Sequence, residues 1–331
     1  MSEADDTPVV SVVIPTYQRR DSLQRTLDSL EGQDIEEPFE VVVISDGSTD
    51  GTDELLAQPE RWSYPLVGIR QANAGAGAAR NRGIAAVRSP LIVFLDDDMV
   101  ATPEFLSTHV AEQAQRNDTA VIGPMMTPLG GGLSFWVRWE QESLEKQYAS
   151  MDRGDWAATS RQFYTGNVSV PVASICAVDG FDETLRRDED TELAWRMGQA
   201  GTSFTFCNAA VGYHHAERSF DSWCAIARSY GSTAVLFGRD RGHDPGLAEF
   251  ASFFNQRHVL IRVAVVASID NVLIQKAGLA VARFAARLAD RLRLDAVTSA
   301  ACSLIQNVGF YQAAADELGG RAALRRTVRR R

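Results

Sequence analysis

The chain has 331 residues, enough for about two domains, and its 45% apolar and 23% charged content excludes collagen-like, coiled-coil and wholly disordered chains. The net charge of −10 comes from 33 Lys and Arg against 43 Asp and Glu. It is uneven, with +7 over residues 246–331 and −17 over 1–245, and an acidic main body repels nucleic-acid phosphate, so no nucleic-acid partner is expected.

In chain order, four short apolar runs read as strands: Val9–Pro15, Phe39–Ser45, Tyr64–Arg70 and Leu91–Leu95. They are nearly continuous rather than alternating, as strands buried on both faces of a parallel sheet must be. Helical patterns separate them at Asp21–Leu30, Thr52–Gln58 and Ala76–Val87, which predicts a β-α-β-α-β-α-β series. From 125 to 165 the pattern changes to a loop around Gly130, Gly131 and Gly132 and a helix holding Trp136, Trp139, Tyr148 and Trp156. Regular structure resumes at Gly166–Val170, and a helix is expected from Asp190 to Gln199 with Gly201 as its C-cap. Residues 247–318 read as Ala-rich amphipathic helices. The expected domains are therefore 1–245, with a nucleotide-binding half at 9–125 and an acceptor half at 126–245, followed by a helical region at 246–331.

Four cysteines, Cys176, Cys207, Cys224 and Cys302, form no CxxC pair and indicate neither a zinc site nor a disulfide framework. The acidic start MSEADDTP lacks the pattern of a secretory signal. The apolar tract near 259–282 is interrupted by Arg262, Asp270 and Lys276, short of the ~20 apolar residues that span a bilayer. A cytoplasmic protein is expected, and the basic tail ending Arg325-Arg326-Thr327-Val328-Arg329-Arg330-Arg331 leaves room for peripheral contact at the inner face of a membrane.

In doubly wound sheets ligands bind beyond the carboxyl ends of the strands. The triplet Asp96-Asp97-Asp98 stands at such an end, where three carboxylates repel one another unless a cation arrives, and hard oxygen ligands suit Mg²⁺ or Mn²⁺. A second acidic cluster, Asp188-Glu189-Asp190, opens the helix that ends near Gly201, where the helix dipole also favours acids for structural reasons alone. Trp136, Trp139 and Trp156 suit either an aromatic platform for a sugar or lipid chain or a packed core. A dinucleotide fold is disfavoured because Gly75-Ala76-Gly77 continues as Ala78-Ala79-Arg80 and follows the third strand, so GxGxxG fails.

Together the segments VVIPTYQRR, VVVISDGSTDGT, GAGAARNRGI, FLDDDM and VDGFDETLRRDEDTELAWRMGQAG closely resemble the family 2 inverting glycosyltransferases, over roughly residues 9–215. That resemblance implies a GT-A fold, α/β, with a Rossmann-like, mostly parallel central sheet flanked by helices and here a C-terminal helical extension. It implies a hexosyltransferase that moves a sugar from a nucleoside-diphosphate sugar, foremost a UDP-sugar, to a hydroxyl of a saccharide or glycolipid by a single displacement. A dTDP- or GDP-sugar-dependent rhamnosyl- or mannosyltransferase is the alternative, and a non-catalytic nucleotide-sugar-binding scaffold is the alternative of another class.

By the same resemblance Pro15, Thr16, Tyr17, Arg19, Asp46, Gly75, Arg80, Asp96 and Asp97 line the donor site. Asp98, with Asp96 and His214, holds Mn²⁺ or Mg²⁺; His215 is the neighbouring candidate, and Arg218 a phosphate contact. Asp190 is the general base, with Glu189 beside it. Trp136, Trp139, Gly166, Asn167 and Trp195 are assigned to the acceptor side. The C-terminal helices are open to homodimer formation.

Overall fold

A computed structural model describes residues 7–128, 132–185, 187–216, 218–240, 244–269 and 271–329. The expected glycine loop at 130 and 131, Asp270 and the last two arginines lie outside them. The strands are β1 (Val10–Thr16), β2 (Phe39–Asp46), β3 (Leu66–Gln71), β4 (Leu91–Leu95), β5 (Met99–Ala101), β6 (Thr119–Ile122), β7 (Met125–Met126), β8 (Asn167–Pro171), β9 (Ser203–Phe206) and β10 (Gly212–His214). The helices are α1 (Arg20–Leu30), α2 (Thr52–Leu56), α3 (Ala76–Ile84), α4 (Phe105–Ala114), α5 (Phe135–Asp152), α6 (Val172–Cys176) and α7 (Glu189–Ala200). They continue as α8 (Phe220–Asp240), α9 (Asp244–Gln256), α10 (Val259–Ser268), α11 (Val272–Arg291), α12 (Asp295–Leu318) and α13 (Arg321–Arg329).

The chain divides into two compact units, one of residues 1–131 and 143–216, the other of 132–142 and 217–331. In the first, a seven-stranded sheet has the order β3-β2-β1-β4-β8-β6-β9. Strands β1 to β4 run parallel, and only β8 is antiparallel to its neighbours. Its continuous apolar runs are explained by two buried faces. Val12, Ile14, Val41, Val43 and Val93 pack on Leu23 and Leu27 of α1, while Val13, Val42, Ile44, Ile92 and Phe94 pack with Ala79 of α3 and Leu193 and Met197 of α7. Helix α3 comes so close to the sheet that a Cβ on Gly83 would lie 2.5 Å from Val13 Cγ1 and 2.8 Å from Ile44 Cδ1. A small second sheet, β5-β10-β7, closes the carboxyl edge.

The second unit is helical, and it takes in residues 132–142 and α8 together with the helices that follow. A Cβ on Gly231 of α8 would overlap the Phe310 carbonyl oxygen of α12 at 2.0 Å, so α8 packs against the C-terminal helices. Tyr311 anchors this core, edge-on to Phe254 at 4.9 Å and Phe250 at 5.3 Å. The four cysteines are free thiols. Among the described residues no helix is long and apolar enough to cross a membrane.

Candidate active site

The parallel strands end on one edge of the sheet, so the segments that follow them converge there. At the end of β2, Asp46 is 4% exposed. Its Oδ1 accepts from the Ala74 N–H and the Gln71 amide, each at 2.8 Å, and its Oδ2 from the Gly75 N–H at 2.8 Å. Asn73 donates to the Asp46 carbonyl. The carboxylate expected to line the donor site thus shapes the turn that opens α3, where Gly75 stands at φ +101°, a conformation that favours glycine.

At the end of β1, Pro15 is half-buried and Thr16 buried, and Tyr17 just beyond it is half-exposed. The Thr16 hydroxyl donates to Asp97 Oδ2 at 2.7 Å. Arg19 Nη1 bridges Asp97 Oδ1 at 2.9 Å and Asp98 Oδ2 at 2.7 Å. Burial pushes the Asp97 carboxyl up to about 6, with Arg19 pulling against it. Burial opposes ionisation of Asp98 too, but His214 and Arg19 outweigh it and hold that carboxyl well below the usual range. The two sequence candidates for the histidine are separated by strand register. Pairing of β10 with β5 sets His214 opposite Met99, which brings its Nε2 to 3.4 Å from Asp98 Oδ1. The His215 N–H donates to the Asp98 carbonyl at 2.8 Å.

Asp96, the third carboxylate, meets the second acidic cluster through one guanidinium. Arg80 on α3 donates from Nη2 to Asp96 Oδ1 and from Nη1 to Glu189 Oε1, each at 2.9 Å. Its side chain is 5% exposed, and it lies over the Phe181 ring at 5.8 Å. Burial disfavours its charge, but Asp96, Glu189 and Asp190 outweigh that penalty. Asp190, in the first turn of α7, accepts from the Thr191 N–H at 2.7 Å. Burial, reinforced by repulsion from Glu189, pushes its carboxyl up to about 6, with Arg80 working against the rise. A group with that property in a carboxylate cluster has the proton affinity a general base needs near neutral pH.

Three contributors were not anticipated. Asn81 donates to the Phe181 carbonyl and Glu183 Oε1, each at 2.9 Å, and accepts from the Phe181 N–H at 2.8 Å. It thereby holds the loop that leads into α7. The phenol of Tyr164, which donates to Gln147 Oε1 at 3.1 Å, is pushed up to about 12 by burial and by the charge of Asp190. Gln147 is the third. Of these, only Asn81 had a sequence signal, its place beside Arg80.

The residues assigned to the acceptor divide. A Cβ on Gly166 would lie 3.0 Å from Asp96 Oδ2, so Gly166 stands against the carboxylate cluster. Trp195, on α7, is half-buried. Asn167 is fully buried: its amide donates to the Pro124 and Ala210 carbonyls at 2.9 and 2.8 Å, and its Oδ1 meets His109 Nε2 at 2.9 Å. These bonds give Asn167 a structural role at the start of β8. Trp136 and Trp139 belong to the second unit, packed with Phe220 and Trp223. Their indole N–H groups donate to the Arg218 carbonyl and Ser299 Oγ, and both side chains are partly buried there. Arg218 pairs with Glu140 at 3.1 Å.

Among the described residues no three His, Cys, Asp or Glu side chains are gathered to hold a metal by themselves. The Asp98 carboxylate and the His214 imidazole, 3.4 Å apart, are donors of the kind that Mn²⁺ or Mg²⁺ accepts beside phosphate oxygens.

Residues 11–170 match the sequence profile of Glycosyl transferase family 2. Over those residues, just under half of its length, the chain carries a family 2 glycosyltransferase domain. Over 237 residues it is 31% identical to a validoxylamine A glucosyltransferase of Streptomyces hygroscopicus, a match that covers 62% of this chain and 55% of the relative. The chain spans about half the length of the first curated relatives it matches. Staphylococcus aureus TarS 1–349 in complex with UDP-GlcNAc has the same fold with a TM-score of 0.53, 21% identity, and coverage of 69% of this chain and 66% of that one. The mannosyltransferase PcManGT of Pyrobaculum calidifontis, in complex with GDP-Man and Mn²⁺, gives a TM-score of 0.62 at 18% identity, covering 92% and 87%. The fold of this glycosyltransferase domain is of GT-A type.

Proposed function

We propose that the protein is a metal-dependent inverting glycosyltransferase that moves a hexosyl group from a nucleoside-diphosphate sugar to a hydroxyl of a saccharide or glycolipid. The observation that carries this reading is the double ion pair of Arg80, which joins Asp96 at the end of β4 to Glu189 at the start of α7 and so sets Asp190 beside the carboxylate triplet.

Asp190 accepts the proton of the acceptor hydroxyl as that oxygen forms its bond to the anomeric carbon. The bond from the anomeric carbon to the diphosphate breaks with its electron pair going to the diphosphate, and one displacement inverts the centre. Asp98 and His214 would hold the divalent cation, which when bound neutralises charge on the departing diphosphate. Arg19, at the mouth of the site, offers a further positive charge to phosphate, while Asp96 and Asp97 are held in place for the donor by Arg80 and Thr16. A UDP-sugar is the first donor class, supported by the UDP-GlcNAc complex of TarS and the glucosyl transfer named for the Streptomyces relative. The fold match to PcManGT with GDP-Man favours a GDP-sugar as the second reading.

Substitution Asp190→Asn keeps the shape and removes the base. Calorimetry is expected to show donor binding with metal preserved while turnover falls about 10²- to 10⁴-fold. Turnover close to that of the unaltered protein would overturn the assignment of the base.

A further inference from the structure

Helices α10 and α11 both pack on α12, and their outer faces carry apolar side chains with no protein over them. On α11 these are Leu273, Val281, Phe284 and Leu288, with Leu273 81% and Phe284 68% exposed. On α10 they are Leu260 and Val263, 69% and 61% exposed. The spacing along α11 is helical, so one stripe of the helix faces its own core through Ala282, Ala286 and Ala289 while the stripe beside it is apolar and uncovered. An apolar row of this extent marks an interaction surface rather than scattered surface residues.

The charges around the row select the occupant. Lys276, Arg287, Arg291 and Arg293 are all exposed on α11 and the turn after it. The described residues of α10 and α11 include one acid, Asp290, and it is engaged by Arg138. Two copies joined face to face by a two-fold axis would bring these cations against one another. An anionic lipid surface meets both features at once: the apolar row enters the boundary between headgroups and acyl chains, and the cations lie against phosphate. The charge of the region agrees, since residues 246–331 carry +7, which a negative surface attracts.

We propose that the outer face of α10 and α11 docks the protein on anionic membrane surfaces. The inference is independent of the transfer reaction. It requires no spanning segment.

The test is co-sedimentation of the full chain with vesicles of phosphatidylcholine alone and of phosphatidylcholine containing phosphatidylglycerol, at low and at high salt, with sedimentation velocity of the protein alone. The expected result is binding to the anionic vesicles only, weakened by salt. Each surface cation strengthens such binding about fivefold, so Arg287→Gln with Arg291→Gln is expected to weaken it about 25-fold. Phe284→Ser with Leu288→Ser is expected to abolish it; these side chains are exposed, and circular dichroism verifies that the fold is kept. Failure to bind anionic vesicles, binding that the Phe284 and Leu288 substitutions leave intact, or a dimer in solution that those substitutions dissociate would each overturn the proposal.

Discussion

Asp190 is held in a conflict that a substitution can expose. Its carboxyl binds a proton more tightly in the folded chain than in the unfolded one, because burial and Glu189 both disfavour the charge. Such a group contributes stability at low pH that is lost as pH rises from the ordinary carboxylate range through about 6. Activity runs the other way, since the base must be unprotonated. The dependence of kcat/KM on pH is therefore expected to show an acid limb with an apparent pKa near 6, absent from the residual activity of Asp190→Asn, and thermal melting at neutral pH is expected to place Tm of that variant at or above the parent's. A lower Tm would mean that the carboxylate is better accommodated than its burial and its neighbour imply.

The chemistry-bearing residues legible in the sequence were those whose types leave few structural uses, such as three consecutive carboxylates after an apolar strand. Less legible were Asn167, Trp136 and Trp139, of types that serve a core as readily as a ligand. Their partners, His109 among them, are brought together by the fold from distant positions and leave no local pattern. Asp46 lies between these cases: its place at a strand end was evident, while its bonds to Ala74 and Gly75 depend on a turn whose backbone conformation a sequence does not display.

At the scale of elements, the site is the meeting of three: the β4 terminus, α3 and the start of α7. Helix α3 contributes through adjacent residues, Arg80 to the carboxylates and Asn81 to the loop before α7. Loss of the three Asn81 hydrogen bonds in Asn81→Ala is expected to cost about 2 kcal/mol in urea unfolding and to lower kcat more than donor affinity, because it loosens the placement of Asp190. Equal falls in both would make Asn81 purely structural. Close packing of α3 on the sheet is the second condition. Gly83→Ala drives a methyl into Val13 and Ile44, and overpacking of this kind costs about 1–3 kcal/mol; an unchanged midpoint would show that α3 can slide on the sheet. The four parallel strands and their helices were readable because apolar runs and helical patterns alternate. Strands β5, β7 and β10 are two or three residues long and carry no periodicity to read, yet they set His214 beside Asp98.

For the whole molecule, charge and architecture separate two tasks. The first unit gathers the carboxylates that the proposed transfer reaction uses, and the basic helical region presents an uncovered apolar face. In sequence α8 reads as one more amphipathic helix, and its packing on α12 shows in the close approach of Gly231 to Phe310. The transfer reading is tested most directly by following nucleoside-diphosphate release from UDP-, dTDP- and GDP-sugars by the full chain, each with Mn²⁺ and again with excess EDTA. Release from one donor class, lost on chelation and restored by added Mn²⁺, is the predicted result. Release that persists with excess EDTA, or none from any donor with Mn²⁺ present, would contradict a metal-dependent glycosyltransferase.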